Sequence, residues 1–205
     1  FKSHTAMLSN GQMIQLQSMA RLQSNPRGEM VKKIGNYPAS HPLAKYRCKQ
    51  IADSVKFIVE YEAAHKIKLD RERGDLKLFF WAFTCDAPEL PGYDTVKYSE
   101  RYHRHSTAAR QVITEARTKS RRKIKGLRHE HVVPLSVLRN MLFNDTAVRA
   151  GDPSAVSRIL EDNLHSAVIT RDEALYIDKT YRTTMPEEWK PGEDPYIRYS
   201  KMNVK

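Results

Sequence analysis

Two imidazoles and a carboxylate stand side by side at His129-Glu130-His131, inside the segment LRHEHVVPLSVL (127–138). These side chains exchange protons near neutral pH and ligate metal ions. Leu127, His129, His131 and Val133 alternate with Arg128, Glu130 and Val132, the pattern of a short β-strand, and Pro134 stops it. On such a strand His129 and His131 share one face and Glu130 takes the other. A twist or bulge at the strand end could bring Glu130 and His131 to one pocket. The spacing excludes a HExxH zinc site, which needs two histidines one helical turn apart. The plain alternative is a strand with surface histidines on which Glu130 pairs with Arg128 or Arg139.

The elements that must position this segment follow from periodicity and breakers. Helical stretches at 135–143 and 153–162 separate the first strand from Asn163 and a second apolar strand at 167–169. Thr170 with Glu173 three residues later forms a capping box, so a short helix opens at 171 and runs to 179. Upstream, Met7, Leu8, Met13, Ile14, Leu16, Met19 and Leu22 predict a helix over 5–24, and Pro and Gly make 25–42 a connection rich in loops. Tyr46, Ile51, Val55, Ile58 and Tyr61 give a second helix over 42–65 its buried stripe. LKLFFWAFTC (76–85) fits a buried helix or a strand, which periodicity does not separate, and helix is favoured because its neighbours are helical; a further helix spans 95–118 with Val112, Ile113 and Ala116 as anchors. The tail from Met185, rich in proline and glycine, reads as an extended arm whose Trp189, Tyr196 and Tyr199 pin it to the core.

Charge is unevenly spread along the 205 residues. The net formal charge is +11, and residues 97–131 alone hold 11 Lys/Arg against 3 Asp/Glu. The run Arg117, Lys119, Arg121, Arg122, Lys123, Lys125, Arg128 leads into the histidine segment. Such a field favours a polyanion, and counterion release makes that binding salt-dependent. The bland reading is a solvated helix face. His103 and His105, on the expected helix, join this basic face or stand in solvent. His165 is read as an ordinary strand histidine or a hydrogen-bond partner of the site, and Arg171 as a surface residue or a phosphate contact at a helix start. Cys48 and Cys85, 37 residues apart, make no CxxC pair and read as buried thiols of a reducing compartment. No apolar run reaches the 18 or so residues of a transmembrane helix, and the start lacks a signal-peptide pattern. A cytoplasmic protein is expected.

Glu130-His131-Val132-Val133-Pro134, then Asn163-Leu164, then Val168-Ile169-Thr170 and an opening helix, resemble the HNH endonucleases of the ββα-metal superfamily. The resemblance covers about residues 127–180. It implies that His131 is a general base that activates water. It further implies that Glu130 is a metal ligand, that Asn163 orients His131 or pins the loop, and that His129 binds metal or phosphate. The family places a His or Asn ligand on the last helix, where this chain has Arg171-Asp172-Glu173-Ala174-Leu175, with Ala174 about where that ligand is sought. Asp172 or Glu173 are the substitute oxygen ligands, and Mg²⁺ is the implied cation, with Mn²⁺, Ni²⁺ or Zn²⁺ as alternatives. The expected fold is mainly α (α+β): a helical region over 1–118 for specificity or partner docking, then an HNH-like ββα element with its C-terminal arm over 119–205. The expected function is metal-dependent cleavage of DNA, with RNA the less favoured substrate, and a homodimer or partner protein at the N-terminal helices. The rival is a non-catalytic module that binds nucleic acid or protein.

Overall fold

The computed structural model describes residues 32–87, 97–99, 101–119 and 124–204. The helix expected over 5–24 lies outside them, as do Arg121, Arg122 and Lys123 of the basic run. The described chain is mainly helical with two small sheets, an α+β arrangement.

A two-residue hairpin, β1 (Lys33–Ile34) and β2 (Tyr37–Pro38), opens the described chain inside the stretch expected to be loop. Its turn brings Gly35 to φ +56°, where a Cβ would sit 2.6 Å from the Phe83 carbonyl oxygen. Only glycine fits that approach. Helix α1 (Pro42–His65) follows as the sequence predicts. Pro42 stands in its first turn, the His41 ring accepts from Leu43 N, and Lys66 ends it in the left-handed region at φ 51°. A short helix α2 (Asp70–Asp75) precedes α3 (Lys77–Thr84), the helix expected from the apolar run. Asn36 ties the hairpin to the end of α3: its backbone N donates to Phe83 O, and its Nδ2 donates to Thr84 O and Asp86 O.

The helix expected over 95–118 begins only at Thr107. Arg104–His105 forms strand β3, Ser106 caps the helix by accepting from Ala109 N, and α4 runs Thr107–Thr118. All three apolar anchors of the expected helix lie inside α4, so periodicity located its core and the N-cap serine moved its start. Strand β4 (Leu127–His131) is followed by α5 (Leu135–Asn144), α6 (Thr146–Arg149), α7 (Pro153–Asn163) and β5 (Ser166–Thr170). Helix α8 (Arg171–Tyr181) carries the capping box in both directions. The tail is not an extended arm throughout, because Ile197–Lys201 forms helix α9.

The second sheet has the order β3-β5-β4, with β3 parallel and β4 antiparallel to β5. Register places His129 opposite Val168 and His131 opposite Ser166. Val168 packs with Ala109, Ile113 and Leu127, whereas Ala167 and Ile169 pack with Ala174, Ile177 and Tyr199. Alternation therefore gives β5 one face toward α4 and the other toward α8 and α9.

Lys33–Lys205 forms one compact unit. Ile51, Val55, Phe80 and Phe83 share a core with Leu138, Leu142, Leu160 and Trp189. The division placed at 118/119 thus separates no two cores: the apolar stripe of α1 is covered by α6 and α7 from the other side of it. Among the described residues no helix is long and apolar enough to cross a membrane. Cys48 and Cys85 are both buried thiols, and burial pushes Cys48 up to about 11.

Candidate functional site

Strand β4 sorts its side chains onto two faces, as alternation requires, and the two faces meet different chemistry. On one face His129 and His131 are each only 4 % exposed. The Trp81 ring of α3 meets His131 edge-on at 4.6 Å between centroids and lies 5.4 Å from His129. The His103 ring stands 4.6 Å from His129. Polar contacts bind this cluster into the fold: His131 Nε2 lies 3.0 Å from Thr84 Oγ1, and His103 Nδ1 lies 2.7 Å from Ser166 Oγ. Cys85 Sγ is 3.9 Å from His129 Nδ1, and His129 Nε2 is buried without a hydrogen-bond partner. Burial disfavours the imidazolium, with neighbouring positive charge adding to it. His129 is lowered to about 2 and His131 to about 3. Both are neutral at pH 7.

On the opposite face Glu130 is held by Arg128 Nε at 2.8 Å and Arg198 Nη2 at 3.4 Å. Arg128 also pairs with Asp178 at 2.7 Å. Arg198, from α9, is fully buried. Its Nη2 donates to the His131 carbonyl oxygen and to Tyr199 Oη, and its Nη1 donates to Tyr181 O. Burial raises the Glu130 carboxyl, and the two guanidinium groups oppose that shift. The Glu130–Arg128 pair is the plain alternative read from the sequence; Arg198, far along the chain, carries no local signal of its role.

The other expected ligands are placed apart. Glu173 Oε2 accepts from Thr170 N at 2.8 Å and from Ser106 Oγ at 2.7 Å, so it caps α8 and ties it to the start of α4. Asp172 is exposed in the first turn of α8. Asn163 is buried; its Nδ2 donates to Ile159 O, and its Oδ1 has no partner. Among the described residues no three His, Cys, Asp or Glu side chains come together in a way that could hold a metal ion. Glu130, His129, Asp172 and Glu173 therefore do not fit one cation in this arrangement. The physical reasons are the strand alternation and the capping box. Ala174 is 2 % exposed and packs with Val132, Ala167, Ile169, Ile177 and Tyr199. Ala174→His is expected to overpack this cluster and lower stability by about 1–3 kcal/mol, not to complete a ligand set. Urea denaturation checks this, and an undiminished midpoint would show that the cluster has room.

A cleft of about 580 Å³ runs along β4. Lys97, Arg128, Arg171 and Arg182 line it with Trp81, Tyr98, His129 and His131, and Glu130 is the acidic group among the described lining residues. Of the expected basic run, only Arg128 lines this cleft among the described residues. Arg117, Lys119 and Lys125 are exposed elsewhere, and Lys119 pairs with Glu115 at 3.9 Å. Lys97, Arg182, Trp81 and Thr84 arrive by long-range packing, and nothing local in the sequence marks them. His103 and His105 are buried, at 5 % and 9 % exposure, not displayed on a basic helix face. Their signal was present: YHRHS has the same alternation as HEH, and it forms β3 and its approach. His165 hydrogen-bonds Asp162 O and lies against Tyr196, apart from the histidine cluster. Trp189 and Tyr199 are buried, as expected for residues that pin the tail. No protein-family model, curated protein or solved structure matches the chain.

Proposed function

We propose that the chain binds nucleic acid in the β4 cleft and cleaves its phosphodiester backbone, with His131 as the general base. The observation that carries this reading is the meeting, among the described residues, of Lys97, Arg171 and Arg182 with two neutral imidazoles in one cleft, beside an Arg128 already paired with Glu130 and Asp178. Cations neutralise the phosphate and the charge that develops on it during hydrolysis. A neutral imidazole has the lone pair that takes the proton of the attacking water, and the burial that holds His131 at about 3 makes it a weaker base than an exposed histidine until charge in the bound complex raises it. Thr84 Oγ1 lies 3.0 Å from His131 Nε2 and donates to Phe80 O at 3.1 Å, so the ring is held in orientation by the end of α3. The resemblance of residues 127–180 to HNH endonucleases supports the reaction class and favours DNA. That resemblance implies a divalent cation, Mg²⁺ foremost. Glu130 would have to leave Arg128 and Arg198 to serve one, and no step is assigned to it.

A second reading, a binding module without turnover, draws on the near-complete burial of both imidazoles. Incubation with plasmid and with oligonucleotides, in Mg²⁺, in Mn²⁺ and in EDTA, separates the two. Nicking in any of these supports the nuclease; salt-sensitive binding without nicking in all of them supports the module. In either case Arg171→Gln with Arg182→Gln is expected to weaken binding across sequences. It should also reduce the slope of log affinity against log salt by about 1.4–1.8, from about 0.7–0.9 per phosphate contact. An unchanged slope would remove this cleft from the binding surface.

A further inference from the structure

Resting on the reading of the cleft as a nucleic-acid site, we propose that its substrate is an unpaired strand, one base of which stacks on Trp81 beside His131. In a duplex the faces of the bases are covered by their neighbours, so only edges and phosphates are offered to a protein. An aromatic side chain in the wall of a phosphate-binding cleft can stack on a base only when that base is unstacked from its neighbours. Trp81 and Tyr98 are both half-buried wall residues of the cleft that holds Lys97, Arg128, Arg171 and Arg182. The edge-on contact with His131 fixes the plane of the Trp81 ring and sets it against the imidazole. Lys97 Nζ lies over the Tyr98 ring, 5.4 Å from its centroid, and Tyr98 packs against the Ala109–Ile113 cluster, which holds the ammonium in the wall of the cleft and leaves Trp81 as the stacking platform. The volume, about 580 Å³, is that of a small-molecule site, about 300–1,000 Å³. It suits part of one strand and is far less than a duplex fills, whose major groove alone is about 12 Å wide. Stacking ignores the 2′-hydroxyl, so DNA and RNA strands both satisfy the chemistry.

The chain has two tryptophans, and Trp189 is buried in the helical core. In a Trp189→Phe protein, Trp81 reports alone. The probes are a single-stranded DNA, the RNA of the same sequence, and the DNA annealed to its complement. Both single strands should quench Trp81 emission and bind at least about tenfold more tightly than the duplex, the value of about one stack. Trp81→Ala should weaken single-strand binding about tenfold and leave duplex binding unchanged, and Trp81→Phe should restore part of the loss. Quenching, which needs no substitution at the cleft, keeps the test valid if Trp81→Ala fails to fold. A duplex that binds and quenches as well as a single strand would overturn the stacking proposal and leave the nucleic-acid reading standing. Absence of binding by all three probes would overturn both.

Discussion

Arg198→Met is expected to destabilise the fold by about 3–5 kcal/mol, the cost of breaking a buried charge pair by removing one partner. Arg198 is fully buried and serves Glu130, the His131 carbonyl oxygen, Tyr181 O and Tyr199 Oη together. Methionine fills most of the volume and satisfies none of these groups. Glu130 would keep Arg128, on the more exposed side, while the His131 carbonyl would lose a charge-assisted donor. Lysine cannot stand in, because one ammonium does not reproduce a planar fork with several acceptors. Adding Glu130→Gln should return part of the loss, since it removes the carboxylate left behind. Urea unfolding of the two single variants and the double variant measures this coupling. A loss below about 1 kcal/mol for Arg198→Met would mean that α9 does not lock the end of β4.

Acid should unfold the protein earlier than its carboxylates alone require. In the unfolded chain His129 and His131 take up protons below about 6.5. In the fold burial holds them at about 2 and about 3. The unfolded state therefore binds more protons throughout this interval, and stability falls as pH falls. It is fully present above about pH 6.5 and is lost progressively toward the folded values, at about 1.4 kcal/mol per pH unit for each ring. From pH 7.5 to 5 that is about 2 kcal/mol per imidazole. Two rings together take a large share of the roughly 5–15 kcal/mol of a typical domain. Glu130, raised by burial, shifts the other way and offsets part of this. Chemical denaturation at the two pH values should show the loss, and His129→Leu should remove about half of it. A midpoint flat between pH 7.5 and 5 would mean that solvent reaches both rings.

The parts that were legible in the sequence are those governed by neighbours in the chain. The alternation of LRHEH gave β4 and set His129 and His131 on one face, away from Glu130. The Thr170–Glu173 box opened α8 as read, and Ile51, Val55 and Ile58 form the buried stripe of α1, whereas Tyr46 and Tyr61, expected in that stripe, are exposed. The same alternation in YHRHS was overridden by the helical pattern that follows it, because periodicity cannot see that Ser106 caps the helix and that β3 pairs with β5. The separation of Glu130 from His129 was also contained in the strand period, and β4 pairs regularly through His131. What no local pattern contained is the other side of each contact. Thr84 and Trp81 reach the histidines because the β1–β2 hairpin holds the end of α3, and Arg198 reaches Glu130 across 68 residues of chain.

The most direct measurement compares cleavage and binding by wild type, His131→Ala and His131→Gln on the same labelled strand, with folding verified by thermal denaturation. Both variants should bind as wild type does and cleave about 10²–10⁴-fold more slowly, the usual contribution of a general base. His131→Gln guards against a packing effect, since its amide can still reach Thr84. A chain whose cleavage is undiminished by either substitution would contradict the assignment of His131 and, with it, the account of the β4 cleft as the place where the backbone is cut.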